Sequence, residues 1–193
     1  MKCALLAGEG KTELGEWAKE PPFRELPGEV GVLGALLERA AGSAFKVVDG
    51  VAWKNIRKYR AGNHASAEAR NVLGLALYAR RVPCDAVVFS RDRDGSVERQ
   101  RDLDEGIRRA REDFPDLVVI GGIAIENIEA WILVLLGADG ESMSCRKTKA
   151  ELETRFGIAT LQGIVDAVRS ASMDSLPSGS LCAWWECARA ACR

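Results

Sequence analysis

Apolar residues recur along this chain with two different periods. Short apolar runs bounded by polar or glycine-rich segments predict strands at Lys2–Ala7, Phe45–Val48, Cys84–Ser90 and Leu117–Ile120. Between them, helical spacing predicts helices over Val30–Ala41, Ala65–Arg81, Val97–Asp113 and Ile125–Leu136. The helix over Val97–Asp113 is highly charged, with only Leu103, Ile107 and Ala110 as a narrow apolar stripe. Glu20–Gly28, which holds Pro21, Pro22 and Pro27, reads as an irregular loop. Strands separated by helices require crossover connections, so the expected fold is α/β: a mainly parallel sheet flanked by helices. Past Gly137 the pattern changes to three short helices, Lys147–Phe156, Leu161–Ser170 and Leu181–Ala191, with a Ser-rich connection over Ser170–Ser180. The expected organisation is an α/β domain over 1–137 and a helical C-terminal extension over 138–193 packed on it.

Composition narrows the function classes. The 193 residues are 47% hydrophobic and 28% charged, ordinary for a globular chain, and the net charge is −1. A nucleic-acid role therefore needs a local basic patch. The longest apolar run, Ala130–Leu136, falls far short of the roughly 20 residues of a membrane span. No signal peptide is expected, because the apolar run after Met1-Lys2 stops at Gly8. The expected location is the cytoplasm, with the six cysteines reduced. They form no CxxC pair, and the one histidine, His64, is remote in sequence, so no zinc site is readable. Cys182, Cys187 and Cys192 are five apart and drift around a helix axis.

The candidate chemistry lies where the strands end. In open α/β sheets, functional groups gather beyond the carboxyl ends of parallel strands. Glu9 follows the first strand, Asp92 and Asp94 follow Ala86–Phe89, and Glu126 and Glu129 follow Leu117–Ile120. Asp92 and Asp94 are two apart and project to one side of an extended chain, where a hard cation resolves their repulsion. Arg91 and Arg93 are the alternative source of neutralisation. Glu126 and Glu129, at i and i+3, share a helix face; they either complement the helix dipole or complete a metal site. One basic segment stands out, with Lys54, Arg57, Lys58 and Arg60 interleaved with Trp53 and Tyr59. That pattern suits phosphate contacts with base stacking, or else a solvated surface. Lys147 and Lys149 are further candidate phosphate ligands. Trp184-Trp185 reads as the packing anchor of the C-terminal extension.

These residues carry a resemblance. Glu9 in L-L-A-G-E-G-K-T-E, then A-V-V-F-S-R-D-R-D-G, then Glu126-Asn-Ile-Glu129-Ala-Trp, resembles the Toprim fold of topoisomerases, primases and the overcoming-lysogenization-defect nucleases. The likeness is nearest to small bacterial Toprim-like proteins found beside phage-defence or mobile-element genes, and it covers about Lys2–Leu136. It implies that Glu9 acts as general acid/base or metal ligand. It also implies that Asp92 and Asp94 hold Mg²⁺ or Mn²⁺, and that Glu126 and Glu129 serve a second cation. The implied activity is metal-dependent phosphodiester hydrolysis of DNA or RNA, with an ATPase subunit as a possible partner. Gly8-Glu9-Gly10-Lys11-Thr12 lacks the spacing of a phosphate-binding loop, so the chain itself carries no ATPase signature. Tyr59 and Tyr78 offer no assignable topoisomerase nucleophile. Two other readings stand beside this one. In a haloacid-dehalogenase-type phosphatase, Asp92 is the nucleophile and Asp94 the acid/base; a silent Toprim-like module acts only through partners.

Overall fold

The computed structural model describes residues 1–26, 28–57 and 65–192. Four strands, β1 (Lys2–Gly8), β2 (Phe45–Ala52), β3 (Ala86–Asp92) and β4 (Val118–Ala124), form one sheet in the order β2-β1-β3-β4. Every pairing is parallel. Eight α-helices surround it among the described residues: α1 (Lys11–Leu14), α2 (Val32–Ala41), α3 (Ala67–Arg81), α4 (Val97–Asp113), α5 (Ile128–Leu135), α6 (Cys145–Phe156), α7 (Leu161–Ser170) and α8 (Ser180–Ala190). The expected α/β class with a parallel sheet is thus the observed one, in a Rossmann-like arrangement. No helix among the described residues is long and apolar enough to cross a membrane.

Strand alternation divides the core in two. Leu5, Ala7, Val87, Phe89, Val119 and Ile123 face α3 and α4. Ala4, Leu6, Ala86, Val88, Ile120 and Ala124 face a layer built from α2, α5, α7 and α8. The chain leaves β1 for β2 on one side and β3 for β4 on the other. The carboxyl ends of β1 and β3 therefore flank a topological switch point, the place where α/β sheets open a crevice.

The C-terminal helices belong to this core. Trp184 of α8 is fully buried and donates its indole N–H to the Phe89 carbonyl at 3.0 Å, while Leu152, Val165, Val168 and Leu181 join the same apolar cluster as β1 and β3. Trp185 is buried beside it. Side chains also engage both outer strands. Arg111 donates to the Val119 carbonyl of β4 at 3.0 Å, and the Cys187 thiol lies 3.6 Å from the same oxygen. On β2, Arg24 donates to the Gly50 carbonyl at 2.6 Å, and Trp17 packs over Gly50 so tightly that a Cβ there would stand 2.5 Å from the Trp17 Cβ.

Candidate functional site

The crevice begins with α1. Gly8 ends β1, and a Cβ at Gly8 would meet the Glu13 Cβ at 2.6 Å, so the missing side chain lets α1 fold back onto the strand end. Glu13 is thereby almost fully buried, at 4% exposure. Its Oε2 accepts the Gly10 N–H at 2.9 Å, closing the first turn in the manner of a capping box. Burial raises the pKa of the Glu13 carboxyl, and Glu129 adds to the rise; backbone N–H groups and Lys149 oppose it.

Alternation along β3 then sorts its polar end. Arg91 points to the α3 side, where it stacks over Trp53 and bonds Glu68 of α3 at 3.2 Å and Glu9 as well. Asp92 lies on the other side, toward Glu13 and Glu129. Its carboxyl is pushed up to about 8, first by burial and then by the charges of Glu13, Glu129 and Asp94, with Arg91 in opposition. Asp92 Oδ1 is buried and has no hydrogen-bond partner among the described residues.

Beyond Asp92 the chain turns instead of continuing extended. Asp94 and Gly95 have φ of 48° and 74°, and the Ser96 N–H bonds back to the Arg93 carbonyl at 2.9 Å. Two successive positive φ values are the pattern of a type I′ turn, which Asp tolerates and Gly favours. The turn separates Asp94 from Asp92, so the two aspartates do not project together as an extended chain requires. Asp94 instead accepts Arg99 of α4 at 2.6 Å, and Arg99 also caps the Asp92 and Arg93 carbonyls at 2.7 Å and 3.2 Å.

The acids after β4 are separated too. α5 starts at Ile128, with Asn127 as N-cap accepting from the Ala130 N–H at 3.2 Å. Glu126 lies before that cap at φ 66°, so it shares no helix face with Glu129. Glu126 accepts Arg93 at 3.0 Å; Glu129, 7% exposed in the first turn, meets Lys149 at 3.3 Å. α6 closes this side. Its Thr148 is buried and donates to the Asn127 side chain at 3.0 Å, and the Cys145 thiol lies 3.9 Å from Glu126 and 4.0 Å from Asp94. Burial raises the Cys145 pKa, and the adjacent carboxylates raise it further.

All five expected acids thus lie beyond the carboxyl ends of β1, β3 and β4, but in two groups. Glu9, Asp94 and Glu126 form an outer set, each paired with an arginine: Arg91, Arg99 and Arg93 in turn. Asp92 and Glu129 form an inner set with Glu13, which the sequence reading passed over although it is the second glutamate of E-G-K-T-E. Lys149 is, among the described residues, the one cation in an ion pair with this inner set. Among the described residues no three or more His, Cys, Asp or Glu side chains are grouped so that they could hold a metal ion.

Of the basic segment, Lys54 and Arg57 are exposed, whereas Lys58 and Arg60, with Tyr59 and His64, lie outside the described residues. Trp53 is not available to stack on a base: it is 5% exposed, packs on Phe89 at 5.6 Å between ring centroids, and donates to Glu68 at 2.9 Å. Along α4, Glu105 pairs with Arg108 and Arg109, and Arg101 with Asp102. No family model, no curated protein and no solved structure matches this chain.

Proposed function

We propose that the chain is a divalent-cation-dependent phosphodiesterase of Toprim type that acts on nucleic acid. The observation that carries this reading is the inner acidic set. Among the described residues Asp92 is the one strand-end acid whose side chain has no partner, its Oδ1 is buried and unsatisfied, and Glu13 and Glu129 add further negative charge. Three carboxyl groups in a poorly solvated crevice repel one another, and a hard cation with oxygen ligands relieves that repulsion. In this reading Asp92, Glu13 and Glu129 would hold the ion once their side chains turn toward it, with Asp94, Glu126 and Glu9 at its rim. When bound, Mg²⁺ or Mn²⁺ supplies charge stabilisation to a phosphoryl oxygen and a more acidic water.

The protein's own groups complete the arrangement. Arg91 and Arg99, both anchored on Glu68, fix the end of β3 and the Arg93–Ser96 turn. They leave Asp92 facing the crevice and hold the rim acids close to charge balance. Glu9, accepting the Asp92 N–H at 3.2 Å while bound to Arg91, orients the strand end and is a rim carboxylate that could move a proton.

The test pairs calorimetry with cleavage. Titration of the full chain with Mn²⁺ and Mg²⁺ is expected to show saturable binding that is lost in Asp92→Asn. Labelled single- and double-stranded DNA and RNA are expected to be cut only with the cation and only by the parent chain. Cleavage that ignores both the cation and Asp92→Asn overturns the reading. Cation binding without turnover replaces it by a silent module acting through partners, including an ATPase subunit. Turnover of an aryl phosphate in preference to a diester favours the phosphatase.

A further inference from the structure

The function proposed above leaves one charged feature unexplained. α6 opens with Cys145-Arg146-Lys147-Thr148-Lys149, three cations and no acid within five residues. Two contacts fix this turn on the lip of the acidic crevice: Cys145 beside Asp94 and Glu126, and Thr148 bonded to Asn127. At 100° per residue, Lys149 falls next to Cys145 on the crevice side and Arg146 flanks it at i,i+3, while Lys147 points about half a turn away. Lys149 reaches Glu129 with a side chain that stays 65% exposed. Arg146 is exposed and forms no ion pair or side-chain hydrogen bond with any described residue.

That placement runs against local electrostatics. The first turn of a helix carries partial positive charge, so cations there are disfavoured by about 0.3–1 kcal/mol each unless an anion lies nearby. The crevice carboxylates answer Lys149 alone. An anion lying along the lip would answer both cations, and a phosphodiester chain that presents one phosphate to the crevice presents its neighbours to the rim.

We propose that Arg146 and Lys149 of α6 grip the nucleic-acid backbone next to the acidic crevice, so that the C-terminal extension supplies the substrate-positioning surface. This rests on the phosphodiesterase reading, and it places the main phosphate contacts here instead of on Lys54 and Arg57. A backbone contact of this kind is sequence-independent and salt-sensitive.

Fluorescence anisotropy of the full chain with labelled DNA and RNA, single- and double-stranded, in Ca²⁺ and in EDTA, measures binding without cleavage. Arg146→Ala is expected to weaken binding several-fold at low salt. It should also flatten the plot of log affinity against log salt by about 0.9 on duplex or about 0.7 on single strands, the value of one phosphate contact. Arg146→Glu is expected to weaken it further. Lys147→Ala and the pair Lys54→Ala/Arg57→Ala should leave the slope within error of the parent. All these side chains are exposed, so unchanged circular dichroism and melting are expected throughout. The proposal fails if Arg146→Ala and Lys147→Ala behave alike, if the Lys54/Arg57 variant carries the loss, or if the parent binds no nucleic acid. The calorimetric result on Asp92→Asn stands apart from these outcomes, so failure of the α6 contact and failure of the metal reading are told apart.

Discussion

Glu9 and Glu13 are four residues apart in one short motif, yet they meet different partners. Glu9 is bonded to Arg91 and is partly exposed; Glu13 is buried among carboxylates. A glutamate already neutralised by a guanidinium contributes little to holding a cation, whereas one raised in pKa by burial gains most from it. Glu13→Gln is therefore expected to weaken Mn²⁺ binding at least tenfold in calorimetry. Glu9→Gln should change cation affinity by less than about threefold while lowering turnover, because Arg91 then loses one of its two carboxylates. Equal losses of affinity in both variants would contradict the division into inner and outer acids. The motif E-G-K-T-E contained the signal for Glu13, since two acids flanking a single turn can both reach a strand end. What it lacked was any sign that α1 folds back on β1. That depends on Gly8, whose role is steric and becomes visible only when the two backbones are in place.

At the scale of elements, the strands and long helices were legible because their burial follows a simple period. β3 and the extent of α4 were anticipated to within two residues, since a β-branched run and a 17-residue amphipathic stretch leave little choice. β2 and β4 run longer than apolar content indicates, ending at Ala52 and Ala124, because Asp49-Gly50 and Gly121-Gly122 read as turns yet continue the ladder. The four-residue α1 was not legible at all: one turn has no periodicity to detect. Spacing arguments also broke at Asp94 and Glu126, where positive φ ends the regular geometry that two-apart and three-apart rules assume. Non-glycine residues in that region store about 1–3 kcal/mol of strain each, and such strain gathers at functional sites. The contact between α1 and β1 yields a direct test. Gly8→Ala is expected to destabilise the fold by about 1–3 kcal/mol through overpacking. It should remove cation binding while the far-ultraviolet circular dichroism remains that of an α/β protein, since α1 is a single turn and its displacement leaves the sheet and the long helices in place. A variant that binds the cation with parent affinity would show that α1 does not build the site.

For the molecule as a whole, the crevice ties stability to pH. The carboxyl of Asp92 is raised from an ordinary 3.8 to about 8 in the folded chain. Between those values the unfolded chain has released a proton that the folded chain keeps, so stability falls as pH rises from about 4 to about 8 and is level outside that window. With screening at a partly exposed group, the fall attributable to Asp92 is about 1–3 kcal/mol, or about 2–12 °C in Tm. Asp92→Asn is expected to flatten that slope and to melt higher than the parent at pH 8 in EDTA. Added Mn²⁺ should restore the parent and leave the variant unmoved, with apparent affinity rising with pH up to about 8 because the cation must displace the proton. A parent chain whose Tm in EDTA is flat from pH 5 to pH 8 would refute the buried, unpaired Oδ1 of Asp92.

The outer strands lead to a consequence of a different kind. A parallel sheet of four strands has two free margins, and bare margins of this sort recruit strands from other molecules. Here Arg111 and Cys187 occupy the Val119 carbonyl on one margin, and Arg24 and Trp17 close over Gly50 on the other. Each margin is therefore interrupted at one rung, and a strand from another molecule could not pair along its whole length without displacing these side chains.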